Sequence, residues 1–300
     1  MKYKDIIDQP LTRKSHTLDF LGLTISYKGF LKATQAIHDC RKTAFPNGNG
    51  IIEPEGMCLI GLSGAGKSTV AKEYVKHFPF QQNEQETYIP VVYVSLDQKC
   101  TVIDIQKLLL KELCPFADGE IREKDLMRRI EFLLKSSRTE LIIIDEIQHV
   151  LPEHTSAKTQ HAADYIKCLL DKSNVPIVLV GLPDSIRLLH ARFKSTSKEE
   201  EEDQLFRRLG STIRLEPYEI TSPEWKIILK GYQKAVRVPC INLYTHEMMT
   251  RFHLATKGLN GRITKILRKA LELTDGMEQI TLQHLALGYE QAFPTYSIDF

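Results

Sequence analysis

The octapeptide Gly61-Leu62-Ser63-Gly64-Ala65-Gly66-Lys67-Ser68 fits the pattern G-x-x-x-x-G-K-[ST]. That spacing serves one kind of chemistry, the holding of a nucleotide's phosphates. Glycines let the loop wrap so that backbone N–H groups point at phosphate oxygens. The helix that follows adds a partial positive charge at its N-terminus. Lys67 is placed to contact the β- and γ-phosphates, the Ser68 hydroxyl to hold Mg²⁺, and Thr69 lies beside it in the first helical turn. An apolar run, Met57–Gly61, precedes the loop and a helical pattern, Ser68–His77, follows it, as the mechanism requires.

A second constellation is Leu141-Ile142-Ile143-Ile144-Asp145-Glu146. Four apolar residues make a buried strand and place two carboxylates at its C-terminal end, where ligands bind in open α/β sheets. Asp145 is expected to complete the Mg²⁺ shell through water, and Glu146 to orient and activate the attacking water. The run Val91–Leu96 lies between the two motifs in sequence, and Glu146 directly follows Asp145. Together these features point to the hydrolytic, additional-strand branch of phosphate-loop ATPases. Gln148 and His149 come next; Gln148 is either a sensor of the γ-phosphate or a polar residue opening a loop.

Two arginine-bearing segments could add charge. In Gln204-Leu205-Phe206-Arg207-Arg208-Leu209, Arg208 is the candidate to stabilise a transferring phosphoryl group on a neighbouring subunit, with Arg207 as the second choice. The alternative is a surface helix with two solvated arginines. In Lys257-Gly258-Leu259-Asn260-Gly261-Arg262, Arg262 is either a residue that reaches over the phosphates or part of a polar helix face with Lys265, Arg268 and Lys269. From Ala255 to Ala270 there are five basic residues and no acid, which leaves phosphate contact, by nucleotide or DNA, electrostatically open.

The elements that must position these residues alternate. Apolar runs at Met57–Gly61, Val91–Leu96, Leu141–Asp145, Ile177–Gly181 and, more weakly, Thr212–Leu215 read as strands buried on both faces. Helical patterns lie between them at Val102–Leu113, Lys124–Lys135 and His161–Asp171, and another spans Tyr27–Thr43. The fold class is therefore α/β, a five-stranded parallel sheet sandwiched by helices. From about Tyr218 the pattern turns wholly helical, with Ser222-Pro223-Glu224 as a helix start. Helices are expected near 223–236, 244–256, 260–274 and 281–291. The expected organisation is an N-terminal arm over 1–27, a nucleotide-binding domain over 28–218 and a small helical lid over 219–300.

Composition bounds the partners. Over 300 residues, 40 Lys+Arg meet 38 Asp+Glu, a net charge of +2, which excludes a polybasic binder but not local basic patches. The six cysteines form no C-x-x-C pair, so a zinc ribbon is not expected and a reducing cytoplasm suits the chain. The ten histidines show no metal-ligand spacing. No apolar h-region opens the chain, and Val175–Leu182, the longest apolar stretch, contains Pro176 and is far short of a membrane span. Trp225 and the tyrosines are expected in cores rather than as base-stacking platforms.

In combination, the phosphate loop, Asp145-Glu146, the arginine pair before the last strand and a helical domain carrying Gly261-Arg262 resemble an AAA+ ATPase over residues 28–292. Within that superfamily the chain is similar to the TniB/TnsC ATPases of DNA transposition. The resemblance rests on Ile144-Asp145-Glu146-Ile147-Gln148-His149, on Val178-Leu179-Val180-Gly181-Leu182-Pro183 followed later by Gln204-Leu205-Phe206-Arg207-Arg208, and on a short chain with an N-terminal arm. It implies ATP and Mg²⁺ as cofactors and a ring or helical filament of copies of the chain around duplex DNA. It also implies partners: a target-selection protein of the TniQ/TnsD kind and a DDE-type transposase, in some relatives within RNA-guided systems. Hydrolysis would reset the assembly. By the same resemblance Arg208 acts on a neighbouring subunit. The loop Asp97-Gln98-Lys99-Cys100-Thr101 would face DNA, with Lys99 and Thr101 on its backbone. One departure stands out: Gly181-Leu182-Pro183 occupies the place where many AAA+ proteins carry a polar sensor, which implies slow hydrolysis or substitution by Gln148. A switch of the signalling or secretion type, acting on a protein without DNA, is the alternative.

Overall fold

The computed structural model describes residues 27–44, 54–82, 86–114, 122–151, 156–189, 208–209, 211–274 and 279–294. The chain divides into two compact units. One spans Lys28–Glu216; the other joins Tyr27 to the described residues from Pro217 onward.

The larger unit is built on five parallel strands: β1 (Met57–Gly61), β4 (Val91–Ser95), β5 (Leu141–Asp145), β6 (Ile177–Gly181) and β7 (Ser211–Leu215). Their order is β4-β5-β6-β1-β7. The three inner strands, β1, β5 and β6, are buried at every position. That is why their sequences are unbroken apolar runs rather than alternating ones. β7 is an edge strand and half open, so it can carry Thr212 and Arg214 and reads weakly in the sequence. Helices α1 (Lys28–Lys42), α2 (Lys67–Lys76), α3 (Val102–Leu113), α4 (Glu123–Ser136) and α5 (Ser156–Ser173) complete the layers. Arg41 of α1 pairs with Glu140, which also accepts a 2.7 Å bond from the Tyr88 hydroxyl.

The strand order fixes where a ligand can sit. After β1 the chain crosses to β4 at the far edge; after β6 it crosses the other way, over β1, to β7. Loops that leave adjacent strands in opposite directions open a crevice at the strands' C-terminal ends. Here that crevice lies between β1 and β6, where Ile60 pairs with Gly181, and β5 with Asp145 is the next strand out.

Two local features depart from the sequence reading. A two-residue antiparallel pair, β2 (Gln81–Gln82) with β3 (Thr87–Tyr88), precedes β4 and is too short to leave a periodic signal. Helix α5 starts at Ser156 rather than His161, because Ser156-Ala157-Lys158-Thr159-Gln160 carries no apolar stripe.

The smaller unit packs α6 (Pro223–Ala235), α7 (His246–Thr256), α8 (Asn260–Leu273) and α9 (Leu282–Ala292). Ser222, Thr245 and Thr281 cap three of these helices by accepting backbone N–H bonds from Glu224, Met248 and His284. Trp225, Phe252, Ile263, Leu267, Leu285 and Tyr289 lie in its core. The indole N–H of Trp225 donates to the Met249 carbonyl at 3.0 Å. The sole extended feature among the described residues here is an isolated parallel bridge between Cys240 and Ile280.

All six cysteines are unpaired; burial pushes the thiols of Cys40 and Cys58 up to about 12, so neither forms thiolate at neutral pH. No helix among the described residues is long and apolar enough to cross a membrane.

The burial pattern sets a contrast in stability. Trp225→Ala removes a fully buried side chain and its hydrogen bond to the Met249 carbonyl; it should cost about 3–5 kcal/mol. Leu31→Ala, at a position 57% exposed on α1, should change stability by less than about 0.5 kcal/mol. Urea unfolding of both variants, followed by circular dichroism, checks the difference.

Candidate nucleotide-binding site

Strand β1 delivers the chain to the phosphate loop, and two glycines make the turn possible. Gly64 (φ 82°) and Gly66 (φ 98°) both sit in the left-handed region that side chains disfavour. Gly66 is the N-cap of α2, and no side chain caps that helix. Its first-turn N–H groups are therefore left to a ligand, and the helix terminus favours an anion there.

Lys67, 7% exposed, turns its ammonium back onto the loop and donates to the carbonyls of Gly61 at 2.9 Å and Leu62 at 3.1 Å. Burial pushes its pKa down, while the charges of Glu146 and Asp145 act in the opposite direction. The ammonium is thus desolvated and lies within electrostatic reach of both carboxylates. Ser68 is half-buried in the first turn of α2; Thr69, Leu62 and Ser63 are exposed and Ala65 is buried.

Across the crevice, Asp145 is 1% exposed and held by two donors. Its Oδ2 accepts from the Tyr93 hydroxyl at 2.8 Å and its Oδ1 from the backbone N–H of Glu146 at 2.8 Å. Burial first, and then the Asp145 charge, push the Tyr93 phenol above its ordinary range, so it remains a donor. Glu146 sits in left-handed backbone (φ 57°, ψ 39°) between β5 and a 3-10 turn, Ile147–Val150. Its Oε2 accepts from the Gln148 amide, whose Oε1 accepts from the backbone N–H of Leu182 at 3.1 Å.

These residues fit Mg²⁺ with a nucleotide. Mg²⁺ is usually bound by one or two carboxylates together with phosphate and water oxygens, not by an all-protein cage. No cluster of three or more His, Cys, Asp or Glu suited to a metal occurs among the described residues. Asp145 and the Ser68 hydroxyl supply the kind of sparse oxygen set that a phosphate-bound Mg²⁺ takes.

The structure thus brings together Lys67, Asp145, Glu146 and Gln148 beside the loop. Arg208 lies elsewhere. It precedes β7, its carbonyl accepts from Gly56 N–H at 2.7 Å just before β1, and its guanidinium pairs with Asp171 at 2.9 Å. A five-residue strand rises roughly 16 Å, so Arg208 is at the opposite end of the sheet from the phosphate loop of its own chain. Arg207 falls outside the described residues. Arg262 belongs to the smaller unit, where its guanidinium lies 5.5 Å from the centre of the Phe293 ring and the Lys265 ammonium 5.8 Å from the same ring.

In the loop after β4, Lys99 is exposed with φ 63°. Thr101 is the N-cap of α3, and its hydroxyl is engaged in a capping box with Asp104, at 2.6 Å from Oδ2. A phosphate contact by that hydroxyl would compete with the cap. The sequence reading missed Tyr93 and Asp171. For Tyr93 the available signal was a hydroxyl-bearing aromatic inside an otherwise apolar strand, close to the strand that ends in Asp145.

Comparison with known proteins adds the family. The family described as "Bacterial TniB protein" matches residues 30–200. No curated protein matches the chain. Among solved structures, the Aeropyrum pernix ORC1 protein in complex with DNA matches with a TM-score of 0.63 and 14% identity, over 93% of this chain and 71% of that one. The Aeropyrum pernix ORC2 protein in its ADPNP-ADP complexes gives 0.60 and 16%, over 94% and 72%. Drosophila ORC bound to DNA gives 0.51 and 13%, over 95% and 67%. At such identities these likenesses speak for the fold. The family match extends over more than half of the sequence and includes both the phosphate loop and Asp145-Glu146, so the chain belongs to the bacterial TniB family and has the AAA+ phosphate-loop ATPase fold.

Proposed function

We propose that this chain is an ATP-hydrolysing, DNA-binding regulator of transposition. It assembles on duplex DNA as a ring or helical filament and connects a target-selection protein of the TniQ/TnsD kind to a DDE-type transposase. Hydrolysis controls the assembly. The observation that carries the enzymatic part is the meeting of Lys67, Asp145 and Glu146 at one sheet crevice. Family membership supports the transposition part, and two fold neighbours described as DNA complexes support the DNA part.

In this reading the loop N–H groups and Lys67 hold the triphosphate, and Asp145 and Ser68 hold Mg²⁺. The metal, when bound, draws charge from the phosphoryl oxygens as a Lewis acid. Glu146 takes a proton from the attacking water, whose oxygen bonds to the γ-phosphorus as the bond to the β–γ bridging oxygen breaks, releasing ADP and phosphate. The placement of Arg208 far from its own loop supports action on a neighbouring subunit, with Arg207 as the second choice. Arg262 would report nucleotide state to the helical unit. Lys99 and Thr101 would contact DNA backbone, positioning the protein without reading sequence.

Three measurements test these assignments. Glu146→Gln should keep ATP affinity but lose about 10²–10⁴-fold in turnover, whereas Lys67→Ala should lose nucleotide binding itself; calorimetry beside a phosphate-release assay separates the two. Arg208→Ala should also be inactive, and mixing it with Glu146→Gln protein should restore part of the turnover, because each supplies what the other lacks across a subunit interface. DNA affinity should be ATP-dependent, largely independent of sequence, and should fall linearly in log K against log salt; binding that ignores nucleotide and salt would contradict the DNA reading.

A further inference from the structure

Glu146 is anchored at its backbone by two hydrogen bonds. Its N–H donates to Asp145 Oδ1, and its carbonyl accepts from His149 N–H at 2.9 Å, which together hold the left-handed conformation. Non-glycine residues seldom adopt that conformation, and here it turns the chain out of β5 into the 3-10 turn Ile147–Val150. Beyond the backbone, a glutamate keeps several freely rotating bonds. Among the described residues, its carboxylate accepts a hydrogen bond from the Gln148 amide.

The orientation of that amide is dictated by its partners. A backbone N–H can only donate, so the side that meets Leu182 N–H is Oε1, and the side that meets the carboxylate is Nε2. Gln148 therefore spans two strand ends, from the residue after β5 to the residue after β6. Gly181 makes room for it. A Cβ at position 181 would lie 2.6 Å from Ser185 Oγ, 2.7 Å from Ile147 Cγ2 and 3.0 Å from Gln148 Oε1. A side chain there and the amide of Gln148 cannot share that space without rearrangement. The register of β1 with β6 sets Gly181 beside Ile60, one residue before the phosphate loop begins. Ser185 Oγ, buried and without a partner among the described residues, borders the same spot.

We infer that Gln148 is the positioning residue of Glu146: through its bond to Leu182 it fixes the carboxylate to the end of β6, taking a place that Gly181 leaves without a side chain. The inference rests on the ATPase reading and assigns Gln148 an action through Glu146 rather than on the nucleotide directly. A misplacement of about 1 Å at a reacting group can cost about 10²-fold in rate.

Steady-state kinetics and equilibrium ATP binding test it. Gln148→Ala should lower kcat by about 10- to 100-fold while the Kd for ATP changes less than about threefold. Gln148→Glu has the same shape and can still accept from Leu182, but presents a carboxylate to Glu146; it should fall at least as far. In a Glu146→Gln background, Gln148→Ala should lower the residual rate no further. Thermal unfolding of each variant establishes that the fold is kept. Either single variant with unchanged or raised kcat would overturn the inference, as would a loss confined to ATP affinity. If the unaltered protein binds ATP but does not hydrolyse it, the ATPase reading fails first and takes this inference with it.

Discussion

Lys67 keeps its ammonium where water scarcely reaches, against two backbone carbonyls at the end of β1. A charge so placed is costly unless something compensates it. Carbonyl dipoles and the more distant charges of Glu146 and Asp145 compensate in part. A phosphate chain laid along the uncapped start of α2 would complete the compensation. Much of the larger unit reads as a consequence of that requirement. Left-handed glycines at 64 and 66 bend the loop around the site. The fully buried strands β1, β5 and β6 form the floor from which the loop and the two carboxylates project.

The same sheet explains why some charged groups gather and others do not. Parallel strands present all their C-terminal ends on one side, so residues that follow β1, β5 and β6 converge there. Residues that precede strands face the other way, and Arg208, just before β7, is bound to that end through Gly56 and Asp171. An arginine in that place cannot serve the loop of its own chain across the length of β1. Its usefulness to catalysis would come from symmetry, were copies of the chain to set one subunit's strand-start end against another's loop.

The parts that were legible in the sequence depend on local pattern. The phosphate loop has a fixed spacing, and the inner strands are unbroken apolar runs because both faces are covered. Helix starts such as Ser222-Pro223-Glu224 carry their caps in three residues. The parts that were not legible depend on register between strands distant in sequence. That Tyr93 reaches Asp145 follows from β4 pairing with β5 so that Ser95 lies opposite Asp145. That Gln148 touches both Glu146 and Leu182 requires β5 and β6 to be neighbours, although the possibility that it replaces a missing polar residue at the end of β6 was visible from Gly181-Leu182-Pro183 alone. Thr101, read as a DNA contact, also caps α3, a role its Thr-x-x-Asp spacing carries openly.

The central claim is that nucleotide at this site builds an assembly on DNA. Electron microscopy of the protein with linear duplex DNA and a non-hydrolysable ATP analogue, beside a nucleotide-free control, tests it most directly. Rings or filaments that encircle DNA with the analogue alone, with Arg208 of one subunit at the phosphate loop of the next, are the predicted result. Nucleotide-dependent particles that form equally without DNA and leave the duplex bare would contradict it.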